Sequence, residues 1–259
     1  MSTPSLLDHP LVLRTLFHPR EEPPFVVSGD AQPIRIQVAE DIWLGGRLHV
    51  SGELAPSLLF WHGNGEIAAD YDDIASLYTG MGINFLIMDY RGYGLSDGRP
   101  TGTTLLADAM VVYDRVREVL ADNGIGSDRL YVMGRSLGSA AAIEIAAQVR
   151  GGIAGLVIES GFAFTIPLLE QLGGLRLEGA DETHGFGNQA KMAQVSVPVL
   201  LIHGEEDEII PVGDAHALFT QVGHGQKRLL TVPHAGHNDL LLVGQRAYFA
   251  AIRGFVLGE

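Results

Sequence analysis

Hydrophobic and polar positions follow different periods in successive parts of this chain. Over residues 34–40 and 42–50 apolar and polar side chains alternate. A period of two suits strands with one solvated face, so the two stretches predict an antiparallel hairpin. Alternation then gives way to short unbroken apolar runs at 57–61, 84–88, 130–133, 156–158, 199–202 and, more weakly, 227–232. Unbroken runs fit strands covered on both faces. Helical periodicity fills 67–81, 104–121, 139–149, 213–222 and 239–256. Strands that alternate with helices predict an α/β fold: a mostly parallel sheet of eight strands, with helices on both faces. A Pro-rich lead-in covers 19–33, and the whole of 1–259 reads as one domain. One interval breaks the rhythm. Residues 161–193 show little regular pattern apart from 166–172 and are Gly-rich between 173 and 187. They are expected to form a short cap or lid over the strand ends.

Between the run at 130–133 and the Ala-rich stretch at 139–149 stands Gly134-Arg135-Ser136-Leu137-Gly138. G-x-S-x-G between a strand and a helix is the nucleophile elbow, which lifts a serine hydroxyl to the top of the sheet. A side chain at Gly134 or Gly138 would collide with the neighbouring strand or helix. A helix-capping serine between glycines is the plainer alternative.

Open α/β sheets bind ligands beyond the carboxyl ends of their strands, so the polar residues that follow each run are the candidates. His203-Gly204-Glu205-Glu206-Asp207-Glu208-Ile209-Ile210-Pro211 follows one run, and Pro233-His234-Ala235-Gly236-His237-Asn238-Asp239 follows another. A serine, an acid and a histidine therefore occur in the order Ser136, Asp207, His237, as a hydrolase triad requires. His234 competes with His237 as the base. Glu205, Glu206, Glu208 and Glu159, at the end of the 156–158 run, compete with Asp207 as the acid. The backbone N–H of Leu137 would be one donor to an oxyanion.

These strings together resemble the α/β-hydrolase superfamily along nearly the full chain. The resemblance rests on His62-Gly63-Asn64-Gly65, Asp89-Tyr90-Arg91-Gly92-Tyr93-Gly94-Leu95-Ser96, the elbow, the string from His203 to Pro211, and Ala235-Gly236-His237-Asn238-Asp239. Within the superfamily the chain is most similar to the serine aminopeptidase-like branch, with the BEM46-like proteins and the eukaryotic protein depalmitoylases. The resemblance implies an α/β-hydrolase fold and a second oxyanion donor at Asn64. The depalmitoylases carry a Cys-rich N-terminus that attaches them to membranes, and this chain has no cysteine.

Composition narrows the chemistry further. With no cysteine there is no disulfide, thiolate metal site or cysteine nucleophile. His62 and His203 lack the spacing of metal ligands, and no phosphate-binding glycine motif is present, so neither metal nor cofactor is expected. The net charge of −14 argues against nucleic acid and anionic membrane as partners. Residues 1–20 carry no signal-peptide core, and no stretch reaches transmembrane length, so a cytoplasmic monomer or homodimer without stable membrane insertion is expected. Arg91 and Asp89 read as a structural pair. Arg135 either packs beneath the site or reaches an acidic substrate group. Tyr90, Phe162, Phe164 and Leu168 are candidate walls of an acyl pocket, with Phe186 near them. The expected activity is hydrolysis of small carboxylic esters or thioesters of short to medium acyl length. A serine aminopeptidase and a non-catalytic binding protein remain as alternatives.

Overall fold

A computed structural model describes residues 5–23 and 31–258, so residues 24–30 of the Pro-rich lead-in lie outside it. The strands are β1 (Gln32–Ala39), β2 (Ile42–His49), β3 (Ser57–Trp61), β4 (Asn84–Met88), β5 (Leu130–Arg135), β6 (Gly155–Glu159), β7 (Val199–Gly204) and β8 (Lys227–Val232). They form one sheet in the order β1-β2-β4-β3-β5-β6-β7-β8. β2 runs antiparallel to β1 and β4, and every other pair is parallel. The predicted hairpin is present, closed by a tight turn with Asp41 at φ +58.

Successive side chains of a strand point to opposite faces. Leu59 and Trp61 of β3 join Val132 and Ile158 in one core cluster, where α3 (Gly102–Asp122), α4 (Gly138–Gln148), α6 (Asn188–Met192) and α7 (Val212–Gln221) pack. Leu58 and Phe60 join Tyr131 and Met133 in a second cluster against α2 (Asp72–Gly80) and α8 (Leu240–Leu257). Burial on both faces is why these strands read as unbroken apolar runs.

Three departures from the expected pattern have simple causes. The first is α1 (Pro10–Leu16), which the periodicity did not reveal. Pro10 opens it, the His9 ring accepts the Leu11 N–H at 3.3 Å, and only Val12 and Leu16 are buried. Two apolar anchors are too few to stand out as a period. The second is the 161–193 interval, which holds more structure than expected: α5 (Thr165–Gly173), a 3₁₀ turn at Glu182–His184, and α6. α5 rests against α1, while Phe186, Asn188 and Met192 are buried against the main body. The third is α8, which is 18 residues long and apolar enough by composition to cross a membrane, contrary to the expectation of no such stretch. Here it lies along the sheet with Tyr248, Ala251 and Ile252 buried.

The core argument predicts that Leu59→Ala, in the middle of the sheet, lowers unfolding stability by about 2–5 kcal/mol, read from urea denaturation.

Candidate active site

β5 ends at Arg135 and α4 begins at Gly138, so Ser136 and Leu137 must reverse the chain. Ser136 does so at φ +52, a left-handed conformation that costs a non-glycine residue energy. Its N–H is held by the Glu159 carbonyl at 2.9 Å, and its carbonyl accepts from the Ser139 N–H at 3.0 Å and the Ser139 hydroxyl at 2.6 Å. The flanking glycines have no room for a side chain. A Cβ on Gly134 would stand 2.2 Å from the Gly138 carbonyl oxygen, and one on Gly138 would stand 2.1 Å from that of Trp61.

Two further strand ends meet this turn. His237, in the loop between β8 and α8, places Nε2 3.0 Å from the Ser136 hydroxyl. Its Nδ1 lies 2.8 Å from Oδ2 of Asp207, which follows β7. The other carboxylate oxygen of Asp207 accepts the N–H groups of Ile209 at 2.9 Å and Ile210 at 2.8 Å. Burial alone would push the Asp207 carboxyl up. Hydrogen bonds from His203, His237 and the Ile210 N–H outweigh it and hold the group well below the usual carboxylate range. An ionised carboxylate only accepts, so His237 carries its proton on Nδ1 and turns the Nε2 lone pair to Ser136.

The competing candidates are held elsewhere. His234 is exposed at φ +62, with Nδ1 3.0 Å from Glu206. Glu205 accepts from the Thr231 hydroxyl at 2.8 Å, and Glu208 is exposed. Glu159 accepts from the Tyr248 hydroxyl at 2.6 Å and Arg135 Nε at 3.2 Å, and its burial raises its pKa. Arg91 pairs with Asp108 through two bonds of 2.7 Å, not with Asp89 as the sequence suggested. Asp89 instead accepts the Ala68 N–H at 2.8 Å. His62 and His203 are buried; His203 Nε2 donates to the Ile210 carbonyl at 2.7 Å and lies 3.3 Å from Asp207. Among the described residues no group of three or more His, Asp or Glu side chains is placed to hold a metal ion.

Leu137 is the N-cap of α4, where first-turn N–H groups have no intrahelical carbonyl to meet. Asn64 lies in the loop after β3 with both ends of its side-chain amide hydrogen-bonded. Its Oδ1 accepts from the His18 N–H at 2.9 Å and the Tyr93 hydroxyl at 2.8 Å. Two donors identify that atom as oxygen, so Nδ2 donates to His18 Nδ1 at 2.7 Å and His18 keeps its proton on Nε2. Sequence reasoning missed His18, Tyr93 and Glu66. Glu66 accepts the Gly63 N–H and the Tyr71 hydroxyl, each at 2.6 Å. No local pattern marks His18, whose partner is 46 positions away.

The expected pocket residues differ in burial and partners. Tyr90 is only 3% exposed, donates its hydroxyl to the His62 carbonyl and stacks on Trp61 at 5.8 Å, so it packs beneath the loop. Phe162 is fully buried in an edge contact with Phe186 at 5.7 Å. Leu168 is buried and Phe164 half-buried. A cavity of about 340 Å³ lies in the 161–193 segment between Ala163, Phe186 and Lys191; Ser136 and His237 do not line it.

The family profile described as "Serine aminopeptidase, S33" matches residues 52–176 and 175–241. The chain belongs to this family of α/β-hydrolases. It is 34% identical over 212 residues to alpha/beta hydrolase domain-containing protein 17B of Homo sapiens, covering 78% of this chain and 67% of that one. An uncharacterised protein of Mycobacterium tuberculosis is 31% identical over 228 residues, covering 85% and 77%. Among solved structures, the Pyrococcus furiosus esterase Pf2001 superposes with a TM-score of 0.75 at 17% identity, over 94% of this chain and 98% of that one. Est1E of Butyrivibrio proteoclasticus, with ferulic acid bound, gives 0.70 at 20% identity over 87% and 98%. Those identities show a shared fold; the family match and the relatives make this serine aminopeptidase-family chain a hydrolase. His18 lies before the matched region.

Two outcomes follow from this geometry. Gly138→Ala must displace the Trp61 backbone, and thermal melting will show a stability loss of about 1–3 kcal/mol. Asp207 has a folded-state pKa below its unfolded one, so its stabilisation is complete above the unfolded value and is lost as pH falls toward the folded one. The stability difference between wild type and Asp207→Asn, read by denaturant titration, will therefore shrink as the pH drops below about 4.

Proposed function

We propose that the protein is a serine hydrolase that cleaves carboxylic esters or thioesters of short to medium acyl chains through an acyl-enzyme on Ser136. The single observation that carries this reading is the unbroken relay from the Ser136 hydroxyl to His237 at 3.0 Å and on to Asp207 at 2.8 Å. A serine hydroxyl is nearly inert until a base removes its proton. His237 takes that proton on Nε2 as Ser136 attacks the substrate carbonyl. Asp207 fixes the tautomer and stabilises the imidazolium that forms. The N–H groups of Leu137 and Asn64 receive the oxyanion, a role in which one lost donor typically costs about 10²–10³ in kcat. His237 returns the proton to the leaving alcohol or thiol. Water then repeats the cycle and frees the acid. No step requires a metal or cofactor.

The family's name offers a peptidase as the second reading. An aminopeptidase needs an acid to hold the substrate's α-amino group. Glu159 is committed to Arg135 and Tyr248, whereas Glu205, Glu206 and Glu208 beside Asp207 are exposed, and comparing aminoacyl arylamides with esters separates the two readings. A binding protein without activity would have no use for a histidine held in the reactive tautomer.

Labelling with a fluorescent fluorophosphonate, with Ser136→Ala and heat-denatured protein as controls, tests the nucleophile. Labelling of the folded wild type alone is expected, and labelling that persists in Ser136→Ala would sink the assignment. On p-nitrophenyl esters from acetate to octanoate, Ser136→Ala should lower kcat by about 10⁶-fold and Asp207→Asn by about 10⁴-fold. Faster turnover of aminoacyl arylamides than of these esters would favour the peptidase.

A further inference from the structure

Arg135 stands between the glycine and the serine of the elbow, and the proposed reaction does not use it. Its guanidinium is buried and holds two loops and a strand end at once. Nη1 pairs with Glu66, in the loop after β3. Nε donates to Glu159, at the end of β6, at 3.2 Å. Nη2 donates to the His237 carbonyl at 2.9 Å and to the Asn238 side chain at 3.1 Å. Glu66 in turn accepts the Gly63 N–H at 2.6 Å, one residue before Asn64. A Cβ on Gly63 would stand 2.5 Å from Arg135 Nη1, so the guanidinium presses directly on the loop backbone.

Both carboxylates in this cluster respond to the guanidinium. Burial would raise Glu66, but the Arg135 charge and the Tyr71 hydroxyl hold it below its usual range. Arg135 is itself held protonated despite burial, chiefly by Glu66. Four of the five N–H donors of Arg135 are spent on Glu66, Glu159, the His237 carbonyl and Asn238. The guanidinium fixes the two loops whose separation decides whether the oxyanion donor and the base face Ser136 together.

We propose that Arg135 is a positioning residue that sets the spacing between the Gly63–Asn64 loop and the His237 loop, and so tunes the chemical step without touching substrate. The proposal rests on the serine-hydrolase reading. A planar fork with several fixed donors can hold two loops and a strand end in register; a lysine keeps the charge but supplies one mobile ammonium.

The test compares ester turnover by wild type, Arg135→Lys, Glu66→Gln and Asn238→Ala, with thermal melts of each. Arg91→Lys serves as the control, because it breaks a similar guanidinium–carboxylate pair with Asp108 in which neither side chain bonds to either loop. Arg135→Lys is expected to lower kcat about 10²-fold, the effect of roughly 1 Å of misplacement, with KM little changed. Glu66→Gln and Asn238→Ala, each loosening one tether, should lower kcat less and also spare KM. Arg91→Lys should move the melting temperature and leave kcat alone. Wild-type kcat in Arg135→Lys would overturn the proposal, as would a kcat loss in Arg91→Lys equal to that in Arg135→Lys. If Arg135→Lys fails to fold, the two tether variants decide: wild-type kcat in both refutes the role. Full turnover in Ser136→Ala would instead remove the underlying reading, whatever the Arg135 variants show.

Discussion

Ser136 adopts a left-handed backbone at φ +52 between a strand and a helix that leave no space for a Cβ on either flanking glycine. The rest of the site is arranged around that fixed turn. An isolated residue would relax out of such a conformation. Here Glu159 holds its N–H, Ser139 holds its carbonyl, and the Trp61 backbone packs against Gly138 two residues on. Strain of this kind persists only when surrounding contacts over-determine it. The result is a serine Cα–Cβ bond whose direction is set by the backbone, with the hydroxyl meeting His237 at 3.0 Å.

Electrostatics complete what the turn begins. A buried carboxylate is costly unless donors surround it. Asp207 meets two backbone N–H groups and lies within reach of His203 and His237, so it stays ionised at the end of β7. Its charge then dictates which nitrogen of His237 bears the proton. Arg135 plays the opposite part on the other side of the same histidine, where a buried cation is neutralised by Glu66 and Glu159 while it grips the loop backbone. The anion holds the His237 ring and the cation holds its backbone carbonyl.

Much of this was legible in the chain. Unbroken apolar runs identified six of the strands because two-sided burial removes polar positions altogether. The elbow and the order Ser136, Asp207, His237 were legible because backbone geometry at such turns admits few residue types. Choosing Asp207 among its acidic neighbours needed the spacing from Gly204 to Pro211, and the fold then directed Glu205, Glu206 and Glu208 away. The pocket was not legible. Tyr90 and Phe162 look like pocket walls in a string of letters, yet one supports the loop after β3 and the other fills the core.

By itself, then, the sequence determined the alternation of strand and helix, the sharp turn at Ser136 and the identity of the residues that meet there. Those follow from local rules: the period of burial, the steric demands of a tight turn, and the residue types that can move a proton. Only the tertiary structure decided that His18 holds Asn64, that Arg91 pairs with Asp108, and that Arg135 joins Glu66, Glu159 and the His237 loop. The Arg135 contacts link segments brought together by sheet order, and no spacing along the chain encodes a hydrogen bond that forms only after β3, β5 and β6 lie side by side.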